Sequence, residues 1–591
     1  MSGSATGTGT PDGRAPADPA TTEAGRLLCA GTYLDPAYRD RVIEELYVHE
    51  ERFPAPSYGF DATRVLAHAL RALRTEAAWS AAIVATWGLG LFLTRTFFLF
   101  LLLPALLLSG AGRIKKRRER IGRGGGRIFE WILRGYACFV LARILWGVLR
   151  GFFADDAYVG GSGGLSFLGE YLKQVVMDNP LGIFLEVPRI GESYGESYSW
   201  TVVLIAVLVT VLVGFRREHF AQIIHSSLSR AQYADRGADP TAGRRFRRVR
   251  DEIERSQHAQ VVLYEVGNPF CGAGKAHLPW QLAVELRPRA GTQARRLDSG
   301  AIIEQIRPKL EALRIPSPRG SEETEDAVLD RLRELVVDEC VFLPAAGLPD
   351  VDAVDLSAEA FAAHRAGAVE EGGERRRHFL RVRIGGWDEN LVITVFIRVH
   401  TQGGMLMLEV APHVLLPVRP DFQRADDIAR RHRRNTPVAK VLLALSQAPG
   451  SLGVALATLG GACRVPWRLA TAGHSVAYAA GPAASVRELA SQEDGSLFQL
   501  MDLDRYLKTI QERIVGGVTL ALHDAGWHTE EFAERAVNVA DGGVFIQSVS
   551  NSAFGIHGVS HNSTVNHGKT ADKAERKDGR VRVGKENRSG R

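Results

Sequence analysis

The sequence predicts an α+β chain in which N-terminal transmembrane helices precede a cytoplasmic domain with an antiparallel sheet and segregated helices. Three observations carry this. Apolar residues are concentrated before residue 216, the loops between the apolar runs differ sharply in charge, and three β-branched runs joined by Gly-Gly pairs lie between residues 378 and 418. An overall hydrophobic content of 45% is ordinary for a globular protein and hides this segregation.

Residues 1 to 24 are Gly-, Thr- and Pro-rich, lack the apolar core of a signal peptide and read as a disordered N-terminus. Residues 25 to 78 read as amphipathic helices, with apolar residues at helical spacing over 32 to 52 and again over 61 to 75. The second of these can lie on a membrane surface. Residues 79 to 215 form the transmembrane region, with three or four spans. The run from Ala77 to Gly110 is interrupted by one charge, Arg95. It exceeds the roughly 30 Å of a bilayer core as a straight helix, so it tilts, kinks at Pro104 or folds back near Thr94 to Thr96. A second run, Ile128 to Phe153, carries Arg143, and the cleanest span is Trp200 to Phe215, closed by Arg216 and Arg217. Arg95 and Arg143 are charges within apolar runs, which are expensive there and so functional by default, unless they pair or snorkel.

Residues 113 to 127 are crowded with Lys and Arg, whereas 154 to 198 hold only Lys173 and Arg189 among many acids. The positive-inside rule places the first loop inside and the second outside, so everything after Arg216 is cytoplasmic. Within residues 216 to 540, strands are expected at 260 to 266 and 280 to 286 and helices at 299 to 314 and 323 to 335. Three antiparallel strands over 378 to 418, with turns at Gly385-Gly386 and Gly403-Gly404, form the clearest sheet. Residues 440 to 463 read as a core or interfacial hairpin, with membrane insertion as the alternative. Helices over 502 to 523 and 530 to 539 end the domain. Residues 541 to 591 are a Gly/Ser/His-rich segment and a basic tail; the 542 to 565 stretch has the alternation of stacking β-arcs, with a capping hairpin or a disordered linker as the other readings.

Net charge is +6, and the cations lie in clusters beside the apolar runs, which fits a bilayer with anionic headgroups rather than nucleic acid. Five dispersed cysteines indicate neither a disulfide framework nor a zinc site. His557, His561 and His567 lack companion ligands, so no metal or other cofactor is expected, and no catalytic motif such as HExxH or GxSxG is present. The loop from Gly267 to Trp280 (GNPFCGAGKAHLPW) fails as a phosphate loop because Pro269 and Ala276 stand where glycine and Ser or Thr are required. It is either a cap on the sheet edge or a ligand- or partner-binding loop through Asn268, Gly272, Gly274 and Lys275, with Trp280 anchoring its base.

The segments TYLDPAYRDRVIEEL, APSYGFDATRVL, VGNPFCGAGKAHLPWQLAVEL, VTVFIRVHTQGGMLMLEVAPHVLLPV and ASVRELAS resemble an uncharacterised family of actinobacterial, streptomycete-like integral membrane proteins. The resemblance spans most of residues 31 to 540. It implies a multi-pass protein of the bacterial plasma membrane and brings no catalytic residue or cofactor. The expected role is therefore a membrane-tethered module that binds an unknown cytoplasmic protein or small ligand, in signalling or in stress and defence. An inner-leaflet enzyme with a non-local active site is the alternative, a transporter or channel subunit a weaker one, and a homo-oligomer is left open.

Overall fold

Strand-forming residues alternate through the centre of the chain, and in the computed structural model they build one curled, seven-stranded sheet in a mixed α/β fold. The structure describes residues 18–94, 131–132, 134–135, 196–240, 243–314, 335–348, 351, 354–371, 376–386, 390–472 and 479–540. Arg95, Arg143, the basic 113–127 loop, the helical pattern over 323–334, the three terminal histidines and the segment after 540 lie outside these.

Helix α1 (Glu23–Leu34) is capped by Thr22, whose hydroxyl accepts from Gly25 N, and α2 (Pro36–Ile43) by Asp35, whose carboxylate accepts from Ala37 N. The single helix expected over 32 to 52 is thus split at Asp35-Pro36, because proline lacks a donor and fits best at a helix start. Helix α3 runs unbroken over Ala62–Thr94 and joins the second amphipathic segment to the first apolar run. Its first turns are buried rather than laid on a membrane surface. Val65, Leu66, Ala69 and Leu70 share a core with Leu28, Val42 and Ile43, and also with Phe422, Ala425 and Val486 from far along the chain. Helices α4 (Glu196–Ser226) and α5 (Arg244–Ser256) add Ile224, Phe246, Val249 and Ile253 to that core.

The sheet then begins. Strands β1 (Val261–Tyr264), β2 (Lys275–Ala276) and β3 (Trp280–Glu285) precede α6 (Ser299–Glu311), and β4 (Val336–Pro344) precedes α7 (Ala358–Glu371). Strands β5 (Arg377–Gly386), β6 (Leu391–Gln402) and β7 (Met405–Leu415) follow as a meander. The order is β1-β4-β5-β6-β7-β2, with β3 also on β7. The all-antiparallel expectation is corrected at one pair. β1 and β4 run parallel, which the long crossover through α6 permits. Gly403 and Gly404, at φ +60° and +78°, form the two-residue hairpin turn expected of them. Gly385 and Gly386 instead pair with Val392 and Leu391 inside the ladder, so they do not make the turn expected of them.

After β7 come α8 (Ala425–Arg434), α9 (Pro437–Gln447), α10 (Ser451–Ala472), α11 (Val486–Ala490), α12 (Leu497–Asp524) and α13 (Glu530–Ala540). Period-two alternation divides the strands between two cores. Leu380, Val382, Ile393, Val395, Leu408 and Val410 face α6, α12 and α13. Phe342, Phe379 and Phe396 face the other way, where Tyr58 and Phe270 cover them. The N-terminal helices, α8 and α11 therefore form one folded body with the sheet.

Candidate membrane interface

Past Leu73, α3 changes its surroundings. Glu76 is nearly buried and lies between two guanidinium groups. It pairs with Arg39 of α2 on one side and at 2.9 Å with Arg216 of α4 on the other. One turn further, Trp79 Nε1 donates to His219 Nδ1 at 3.1 Å. Glu218 of α4 accepts from Lys440 at 2.9 Å and lies 3.2 Å from His432, which ties α4 to α8 and α9. These contacts make a polar collar at one level across α3, α4 and α9.

Beyond the collar the meeting groups are mostly apolar, with a side-chain hydrogen bond from Trp87 Nε1 to Ser451 Oγ. Ile83 and Trp87 of α3, Ile205, Val209 and Val213 of α4, Ala444 of α9, and Leu452 and Ala455 of α10 form a separate small core. Its outer surface is apolar as well. Phe92 is 81% exposed, Leu204 68% and Phe215 61%, and Leu89, Leu93, Val207 and Leu208 are also uncovered. Two threonines in this region bond back to their own helices, Thr86 Oγ1 to Ala82 O and Thr210 Oγ1 to Ala206 O, both at 2.8 Å. That habit suits a medium offering no other partner.

Among the described residues one helix, Ala62–Leu93, is long and apolar enough to cross a membrane, and only 33% of its most apolar stretch is buried. A core helix of that length would be mostly covered. Among the described residues a second N-terminal span is not supported: α4 carries Arg216, Arg217 and Glu218 within its described length. The pair α9 and α10 passes the same test only when joined across a 72° bend.

The glycine loop has a different use. Phe270 inserts into the aromatic core, its ring 4.8 Å from that of Phe396 and 4.5 Å from that of His413. The amides of Gly272 and Gly274 both donate to Glu488 Oε1, at 2.8 and 2.9 Å. The two glycine amides, expected to face a ligand or partner if the loop binds one, are therefore taken by the chain's own carboxylate, brought from α11. Burial pushes the Glu488 pKa up, opposed by those two amides. Asn268 and Lys275 are exposed, and Lys275 Nζ donates to Glu493 O at 3.2 Å. Trp280 packs against the larger core but is only half-buried, so it is a weaker anchor than a fully covered aromatic.

Other polar groupings are structural. A shallow cleft is lined by Glu45, His49, Glu50, Arg52, Arg248 and Glu252, among others. Its charges already pair, Arg52 with Glu45 at 2.9 Å and Arg245 with Glu50 at 2.8 Å, and Glu45 also accepts from Ala483 N at 2.7 Å. Among the described residues no group of His, Cys, Asp or Glu could hold a metal ion.

Glu339 of β4 pairs with Arg307 of α6, Arg365 of α7 and His378 of β5, the last at 2.8 Å. Burial opposes its ionisation, but the hydrogen bonds and charges of His378 and Arg365 outweigh this and hold the pKa at about 2, against an ordinary 4.5. A carboxylate so occupied is no general base. Its depressed pKa stabilises the fold fully above the ordinary value, and this is lost as pH falls towards the folded one. The contribution is about 3 kcal/mol. Glu339→Gln is therefore expected to lower stability near neutral pH and to flatten its fall below about pH 4.5, read from urea midpoints across that range.

The collar residues Glu76, Arg216, Glu218 and Lys440 and the carboxylate Glu488 were not legible as a site. They are ordinary charges in sequence, separated by up to hundreds of positions, and only packing unites them. A family model described as an AbeC-like domain matches residues 279–553. That stretch holds strands β3 to β7 and helices α6 to α13, including the bent pair. No curated protein and no solved structure matches the chain.

Proposed function

We propose that the chain is a membrane-anchored binding module of the bacterial plasma membrane, with its sheet body on the cytoplasmic side and no catalytic chemistry of its own. The observation that carries this reading is α3, which leaves a buried core, passes the Glu76–Arg216 pair and continues as an uncovered apolar rod. The orientation follows from the cations. Arg430 to Arg434 and the basic 113–127 segment fall on one side by the positive-inside rule. In the glycine loop, the exposed Asn268 and Lys275 are the groups offered to a partner protein or small ligand, since the amides of Gly272 and Gly274 are already engaged.

The test is extraction of the full-length chain from cell membranes. It is expected to stay with the membrane through high salt and alkaline carbonate and to be released only by detergent. Release by salt alone would refute the anchor. Protease added to inside-out vesicles should digest the sheet body, and protection there with digestion in right-side-out spheroplasts would reverse the orientation.

A further inference from the structure

We propose that α9 and α10 form a re-entrant wedge that enters the same leaflet as α3 and returns without crossing, clamped at both ends to anionic headgroups. This rests on the membrane-anchored reading and adds a second, separate lipid contact to it. A pair of apolar helices bent by 72° is either a broken span or a re-entrant element. Where its two ends lie decides between them. The start of α9 is tied to the collar through Lys440 and Glu218. The far half of α10 returns to the N-terminal core, where Ala462, Val465 and Leu469 pack. Only the middle of the pair, Ala444, Ala448, Leu452 and Ala455, lies beyond the collar against α3 and α4.

Surface and backbone agree with lipid as the occupant. No Asp, Glu, Lys or Arg occurs between Lys440 and Arg464. Leu442 is 60% exposed, and Val438, Val441, Leu445, Val454 and Leu456 are uncovered with it. This surface continues the bare apolar faces of α3 and α4 through the small core all four helices share. Several polar groups at the break are satisfied, as hydrocarbon demands. Ser451 N and Oγ both donate to Ala448 O, at 3.1 and 2.6 Å, Val454 N donates to Gly450 O, and Trp87 Nε1 donates to Ser451 Oγ at 3.4 Å.

Depth and charge complete the case. At about 1.5 Å per residue, the path from Lys440 to Ala448 is about 12 Å, under half of a roughly 30 Å hydrocarbon core. The entry is preceded by exposed Arg431, Arg433 and Arg434, and the return carries exposed Arg464 and a Trp467 that is 70% exposed, while Arg468 is paired with Glu44. Arginines beside an uncovered tryptophan are the usual furniture of the headgroup layer.

The full-length protein, with Cys138 and Cys463 changed to Ser, would carry one fluorophore at Leu442→Cys or at Leu93→Cys. It would be reconstituted in phosphatidylcholine vesicles with and without phosphatidylglycerol. Both probes are expected to be quenched by brominated acyl chains and shielded from aqueous iodide, and the 442 probe to move deeper when phosphatidylglycerol is present. A lipid-exposed 93 probe with an iodide-accessible 442 probe would sink the wedge and leave the anchor standing. Aqueous probes at both positions would sink both. A thiol at Gln447→Cys labelled by an impermeant reagent from the side opposite the sheet body would show a broken span and overturn the re-entrant path. Contact of 442 probes between copies at the same lipid excess would assign the surface to a second copy and overturn it too.

Discussion

Gly274→Ala is expected to destabilise the folded protein by about 4 kcal/mol or more, beyond the usual range for a single substitution. Two costs combine. The residue sits at φ +94°, where an L side chain is strained. A Cβ built there would also lie 2.2 Å from Val414 O of β7, a backbone atom that cannot step aside without opening the sheet. The movement would in addition pull the Gly274 amide from Glu488, leaving a partly buried carboxylate short of a donor. Gly291→Ala is the control. Its φ is +79° but nothing lies within 4 Å of the added carbon. It should cost about 1 kcal/mol, from backbone strain alone. Urea unfolding of the detergent-solubilised chain, followed by near-UV circular dichroism, would separate the two. Equal, small losses would mean that the loop is not clamped against β7.

Asp338→Ala should lower stability by roughly 3 kcal/mol, towards the low end for breaking a buried ion pair, because Asp338 is 30% exposed while Arg381 is buried. Asp338 and Arg381 stand directly opposite on β4 and β5. Arg381 Nε donates to Asp338 Oδ1 at 2.8 Å, a second nitrogen reaches Oδ2, and the guanidinium lies 5.5 Å from the ring centre of Tyr58. Arg381 is itself buried, so removing the acid strands a positive charge under the N-terminal segment. A double variant, Asp338→Ala with Arg381→Met, should recover much of the loss, because the stranded charge leaves with the arginine. Failure of the second change to help would show that the acid acts through something other than that pair.

Sequence alone determined five of the seven strands, several helices and the presence of apolar segments, because each rests on local periodicity, whereas β2 and β4 were not among them. Period-two runs gave β5 to β7 and Gly403-Gly404 their turn, and helical spacing gave α6, α12 and α13. Residues 440 to 463 could be read as core hairpin or membrane insert, since local hydropathy is the same for both. Tertiary structure supplied what spacing cannot: the parallel β1–β4 pair, the burial of the N-terminal helices beneath α8 and α11, and the clamp of Glu488 on a loop more than two hundred positions away. It also decided which apolar side chains are covered and which are bare. Coverage is a property of neighbours in space, and the groups that meet at the collar, Glu76 with Arg216 and Glu218 with Lys440, become neighbours only when the helices pack.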